Sequence, residues 1–429
     1  MMKNIILAVM ISVLIASHSH AQYKSMINPP SDVTTSYSDG SLDAFSRLPI
    51  ADPITIFDSQ FEYDLLPLVW QTNGLNCLFT HLSAESAMQI STTNNCTAIA
   101  QTREYFKYQP GKAQQIFITF AMNTATANVK KRVGYFDDRD GFYLEQDGTN
   151  GVYMCKRSSV SGSIVTTRVA QASWNLRRLD GTDGSGITLD SSKAQILAID
   201  MQFLGVGRVR MGFDIDGAII WVHEFLHANV VTGAYVRTGT LPLRYEQADA
   251  SASATAHTAK LICSTVISSG GREEGRGYIF ATANNEDLTA TTSLQHLISI
   301  RPKLTFNGMT NRINSIPMEF EVLGGGTPIQ YQINYGSTIT NAVWTSANTN
   351  SSVEYCTNGV YSTDGIILQA GFVAANVGSG RTSSSGTFSS RYPLTLDLNG
   401  TNQNIISILI KATTGTPTCR GSIQWRELR

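Results

Sequence analysis

Between residues 208 and 215 apolar and polar positions strictly alternate, with Val209, Met211, Phe213 and Ile215 on one parity and Arg208, Arg210, Gly212 and Asp214 on the other. Successive strand side chains point to opposite faces, so this alternation predicts a half-buried strand. Asp216-Gly217 follows, a dipeptide suited to a two-residue hairpin turn, and 218–222 can return as the partner strand. Pairing about that turn sets Phe213 opposite Ile220 and Met211 opposite Val222. Runs of the same β-branched and aromatic character at 115–122, 141–144, 195–203 and 259–268, broken by Gly, Asp and Asn, extend the prediction to an antiparallel sandwich. A polar break at 268–276 reads as a long loop. Beyond it, strands are expected at 318–323, 329–335, 405–411 and 422–426, with the Gly- and Ser-rich stretch 378–390 expected as a mobile loop.

The expected fold is therefore all-β: a lectin-like jelly-roll sandwich over 57–295 and a second, smaller β-sandwich over 296–429. Composition agrees. Only 15% of the 429 residues are charged, with 35 Gly and 12 Pro, which suits short strands joined by polar turns and disfavours a coiled coil or helical repeat. A net charge of −1 supplies no long-range field for nucleic acid.

At the N-terminus Lys3 precedes an apolar run over 5–16, and Ser19-His20-Ala21 offers small residues for cleavage. This predicts a secretory signal over 1–21 and an exported protein, with no transmembrane segment after it. Residues 22–56, with Asn28-Pro29-Pro30 and Ser38-Asp39-Gly40, read as an extended arm. Six cysteines in an exported chain permit three disulfides. The expected pairs are Cys77 with Cys96, close in sequence, and Cys356 with Cys419, both C-terminal. No Cys-x-x-Cys spacing points to a redox or cysteine-zinc site.

His223-Glu224-Phe225-Leu226-His227 matches H-E-x-x-H, the zinc-protease pattern, with Glu246 as a conceivable third ligand. That chemistry needs a helix, because only there do residues i and i+4 direct both imidazoles to one Zn²⁺. Here the motif continues the return strand of the hairpin, where residues four apart lie about 13 Å from each other, so the expected reading is a pair of sheet-face side chains. Asp137, Asp138 and Asp140, and Asp180 with Asp183, are oxygen-rich loops of the sort that hold Ca²⁺, though Asp-Gly pairs between strands more often make turns. Asp214 and Asp216 are too few carboxylates for a glucanase site. Trp70, Tyr143 and Trp174 are candidate stacking platforms for sugar rings. No G-x-S-x-G, dinucleotide fingerprint or phosphate loop is complete.

Several longer segments carry a resemblance. They are Tyr108-Gln109-Pro110-Gly111-Lys112, Arg132-Val133-Gly134-Tyr135-Phe136-Asp137, Leu179-Asp180-Gly181-Thr182, Phe203-Leu204-Gly205-Val206-Gly207-Arg208-Val209-Arg210, Leu243-Arg244-Tyr245-Glu246, Ile262-Cys263-Ser264-Thr265-Val266-Ile267-Ser268 and Gly421-Ser422-Ile423-Gln424-Trp425-Arg426-Glu427. Together they resemble an uncharacterised family of virion structural proteins of bacteriophages and large double-stranded DNA viruses, over most of the chain from about residue 43. The resemblance implies a non-enzymatic surface or tail component located in the virion, whose partners are copies of itself or other virion proteins, and which attaches to host-surface glycans. It imports no catalytic residues and no cofactor. The signal peptide departs from what a phage virion protein would carry, and fits a virus of a eukaryotic host or a cellular gene of viral origin. The competing expectations are a secreted zinc protease and a secreted carbohydrate-binding module.

Overall fold

A computed structural model of the protein describes residues 53–429 apart from 76, 94, 253, 271–276, 285, 363–364, 376–380 and 389–391. The expected signal peptide, nearly all of the arm and most of the 268–276 loop lie outside the described residues.

The first sandwich is built from fifteen strands: β1 (Ile54–Gln60), β2 (Trp70–Asn73), β3 (Leu78–Leu82), β4 (Ala87–Thr92), β5 (Thr97–Thr102), β6 (Gln114–Ala121), β7 (Val129–Phe136), β8 (Gly141–Asp147), β9 (Gly151–Ser158), β10 (Val165–Ala170), β11 (Ala194–Met201), β12 (Val209–Ile215), β13 (Ala218–Phe225), β14 (Leu243–Asp249) and β15 (His257–Ser268). One sheet runs β13-β12-β11-β6-β15-β4-β3, with β1 also paired to β15, and the other runs β10-β9-β8-β7-β14-β5-β2. The chain repeatedly crosses between the two, from β4 to β5 to β6 to β7 and from β13 to β14 to β15, which is jelly-roll connectivity. The sequence dictates this through alternation. On β6, Ile116, Ile118 and Phe120 enter the core between the sheets, where Val133, Tyr135, Leu144, Met154 and Tyr245 meet them from β7, β8, β9 and β14. Closing these inner faces against each other removes their apolar area from water, the main favourable contribution to the fold.

The 208–225 hairpin forms as expected about Asp216-Gly217, both at positive φ, and Phe213 pairs with Ile220. Its register then departs from expectation: Met211 faces His223, not Val222, because a bulge lies between Met211 and Gly212. A bulge sets two residues against one and locally bends the strand. Gly212 permits it, since an added Cβ there would meet the Ile220 carbonyl oxygen at 2.3 Å. Val222 and His223 are consequently both buried.

The second body contains a five-stranded sheet, with Thr418–Leu428 between Tyr278–Ala283 and Asn314–Gly325, and a six-stranded sheet centred on Gln295–Pro302, Ile406–Ala412 and Ile329–Tyr335. It therefore begins at Tyr278, before the expected boundary at 296, because 278–283 pairs with the last strand of the chain. Part of the expected mobile loop 378–390 is instead the strand Arg381–Thr387, paired along Glu319–Gly325. Ser and Thr side chains are small enough for an edge strand whose cohesion comes from backbone pairing, and Gly386 leaves room for the Phe320 ring.

The two bodies touch through specific polar contacts. The Asn314 side chain acts as a short piece of backbone toward Tyr105, donating to its carbonyl at 2.7 Å and accepting from its N–H at 3.4 Å. The Leu398 N–H donates to the buried Gln71 side chain at 2.9 Å.

Candidate functional site

The same alternation that fills the core leaves an unusual set of residues on the opposite face of the seven-stranded sheet. With Val133 and Tyr135 inside, β7 presents Arg132, Gly134 and Phe136 outside; with Phe142 and Leu144 inside, β8 presents Tyr143 and Glu145. Register then sets these in rows across the strands. Glu246, Arg132, Glu145 and Tyr153 form one row, and Gln101, Arg244, Gly134, Tyr143, Cys155 and Arg168 the next. Gly134 is required there: an added Cβ would stand 2.6 Å from the Tyr143 Cα.

The charges alternate. Arg244 reaches Asp138 at 2.6 Å and Glu246 at 2.6 Å; Arg132 pairs with Glu246 and, at 2.6 Å, with Glu145; Arg168 reaches Glu145 at 2.6 Å and Asp147 at 2.7 Å. Glu145 and Asp147 lie deep, each with its side chain 2% exposed, while that of Arg168 is 31% exposed; at the other end of the network Arg244 is buried and Asp138 exposed. Aromatic rings floor the network: the Arg168 guanidinium lies 4.0 Å from the Tyr153 centroid, and that of Arg244 5.4 Å from the Phe136 centroid. Such stacking and multidentate pairing hold guanidinium planes in fixed orientation.

Two carboxyls of the network are held in the ionised form. Burial opposes the charge on Glu246, yet Arg244 and Arg132 outweigh it and hold the carboxyl below its usual range. Burial likewise opposes ionisation of Asp147, but hydrogen bonds from Asn150, Thr149 and Arg168 bring it down to about 2. A general acid needs a proton near working pH, which calls for shifts in the other direction.

The residues expected to act from sequence are placed elsewhere or otherwise engaged. Trp70, Tyr143 and Trp174 are not exposed stacking platforms: all three are buried. Trp70 and Trp174 belong to the core, their indole N–H groups donating to Ser59 Oγ at 2.9 Å and to the Val169 carbonyl at 3.1 Å. Tyr143 lies beneath Arg132 and Arg157 in the charged face. The H-E-x-x-H motif is not helical. His223 and Glu224 lie within β13, which ends at Phe225, Glu224 pairs with Arg208, and His227 stacks on Tyr235 with Nδ1 2.8 Å from the Gly207 carbonyl. Glu246, the conceivable third ligand, is held by two arginines on the other sheet. Among the described residues no three His, Cys, Asp or Glu side chains gather to hold a metal ion. The aspartates weighed for Ca²⁺ are engaged within the protein: Asp137 accepts from the N–H groups of Arg139 and Asp140, Asp183 from those of Leu179 and Ser185, Asp180 from that of Thr182 and Asp140 from that of Ser159, while Asp138 pairs with Arg244. Asp214 accepts from the Gly217 N–H in the hairpin turn. Cys77 and Cys96 form a disulfide. Cys356 and Cys419 do not: they lie on different sheets, the Cys356 thiol 3.1 Å from Asn358 Oδ1. Sequence reasoning missed Arg132, Glu145, Arg168 and Arg244, although charged residues alternating with Val, Tyr and Leu over 129–136 and 243–249 mark an outward polar row.

Comparison with known proteins adds shape alone. No family model matches the sequence, and no curated protein does. Solved structures are similar over about half of this chain. The carbohydrate recognition domain of Emp47p shares 11% identity, with 49% of this chain and 93% of that one covered at a TM-score of 0.33. A glycoside hydrolase family 16 endo-glucanase from Bacteroides ovatus shares 8%, covering 49% and 99% at 0.34. The Crh5 transglycosylase shares 13%, covering 50% and 84% at 0.33.

Proposed function

We propose that this protein is a non-enzymatic surface component that binds glycans on the outer face of its seven-stranded sheet. The observation that carries the reading is the alternating guanidinium–carboxylate network laid over aromatic rings. Sugars present hydroxyl pairs that suit fixed planar donors and acceptors, and the rings beneath hold those donors in place. Arg168, the most exposed of the network's arginines bonded to carboxylates, is the group best placed to meet a ligand. A glycan array read with the wild-type protein and Arg168→Ala tests this: binding that weakens by roughly tenfold or more in the variant is expected, from the loss of one charge-assisted contact. Retention of no glycan overturns the reading.

The setting is a virion, in contact with copies of itself or other virion proteins. That part rests on the resemblance of the segments quoted above, and absence of the protein from purified particles by mass spectrometry would refute it without touching the glycan site.

A further inference from the structure

Three of the four guanidinium groups on the charged face are matched to carboxylates. Arg157 differs. Among the described residues no carboxylate lies within ion-pair distance of it, though its charge helps hold the Glu246 carboxyl low: Nη1 donates to the Asp137 carbonyl at 3.0 Å, Nη2 to the Tyr143 hydroxyl at 3.3 Å, and Nε, withdrawn from solvent, has no acceptor. Its guanidinium lies 5.1 Å from the Tyr143 ring centroid and 5.4 Å from that of Phe136. Register sets Gly141 on one side of it and Thr166 on the other. The neighbouring carboxylates, Asp138, Glu145, Asp147 and Glu246, are already spoken for by Arg244, Arg132 and Arg168.

A half-buried cation whose hydrogen bonds go to neutral oxygens, set against two rings, calls for an acceptor that brings negative charge. Since the local carboxylates are engaged, the ligand must supply it. Resting on the glycan reading above, we infer that the preferred glycans are acidic and that their anionic group, a carboxylate or a sulfate ester, docks on Arg157. Charge-assisted hydrogen bonds are about twice as strong as neutral ones, so the acidic group contributes selectivity on top of hydroxyl contacts.

The test is a glycan array displaying neutral, carboxylated and sulfated glycans, including sialyllactose beside lactose and oligogalacturonate beside its carboxyl-reduced form. It is read with wild type, Arg157→Gln and Arg157→Lys, each checked for native circular dichroism. The expected result is a preference of roughly tenfold or more for acidic members of each pair, erased in Arg157→Gln and partly kept in Arg157→Lys; carboxylated and sulfated hits identify which anion is preferred. Equal binding of neutral and acidic members, or an acidic preference that survives Arg157→Gln, overturns the inference and leaves the glycan face standing. Loss of neutral and acidic binding alike in Arg157→Gln marks a structural role and also overturns it. No binding to any glycan removes both readings.

Discussion

Replacing Arg132 by Met tests the energetic logic of the charged face. Arg132 bridges Glu246 and Glu145, whose side chains are 6% and 2% exposed. Removing one partner of a buried pair costs about 3–5 kcal/mol, mostly because a desolvated charge is left unmatched. Here Glu246 keeps Arg244 and Glu145 keeps Arg168, so the expected loss falls at or just below the bottom of that range, roughly 2–3 kcal/mol at pH 7. The pH dependence separates this from simple loss of packing. In the wild type the Glu246 carboxyl is held below its ordinary range, so its contribution is present above the unfolded pKa and lost as pH falls through the folded one. In the variant that pKa rises, and protonation then relieves the unmatched charge. The gap between wild type and Arg132→Met in urea unfolding should therefore narrow from pH 7 to about pH 4. A gap below about 0.5 kcal/mol at pH 7, the size of an ordinary surface change, or one of equal size at both pH values, would refute the reasoning.

Three other outcomes are expected. Burial lowers His223, His227 and His296 to about 4, so the unfolded chain, titrating near 6.5, takes up protons that the folded chain refuses. Stability is then complete above about pH 6.5 and lost as pH falls toward 4, by roughly 2 kcal/mol per imidazole at pH 5; a Tm that does not move between pH 7 and 5 contradicts this. Thiol titration in denaturant without reductant should count four reactive cysteines, Cys155, Cys263, Cys356 and Cys419, and Cys77→Ser should lower stability by about 2–4 kcal/mol, whereas a count of two would mean a second disulfide. Gly134→Ala drives a methyl group into β8 and should cost about 1–3 kcal/mol, as overpacking does; unchanged thermal unfolding would show that β7 and β8 are not held this closely.

Much of the architecture was legible because period-two alternation is a direct imprint of a two-faced strand. The 208–225 hairpin shows both the reach and the limit of that reading. Turn chemistry predicted its position, but a one-residue bulge depends on how Gly212 meets the opposite backbone, and local pattern carries no record of that contact. The aromatic residues failed for a different reason. Trp70, Tyr143 and Trp174 have ligand-like chemistry, and only the partner sheet or the arginines above them decide whether a ring is covered. Arg132, Glu145, Arg168 and Arg244 were hidden because their meaning lies in cross-strand register among segments up to 114 positions apart, as the Arg132–Glu246 pairing across β7 and β14 illustrates. The edge strand 381–387 was hidden by composition, which separates loops from central strands better than from edges.

The alternating lattice also has a consequence for the medium in which the protein works. At molar salt the screening length contracts to about 3 Å, yet the contacts from Arg132 and Arg168 to Glu145 are 2.6 Å long and largely desolvated. The face should therefore keep one shape from fresh water to brine. Attraction of an anionic partner toward Arg157 from a distance would fade with the same salt, so ionic strength would set how often partners arrive without changing the surface they find.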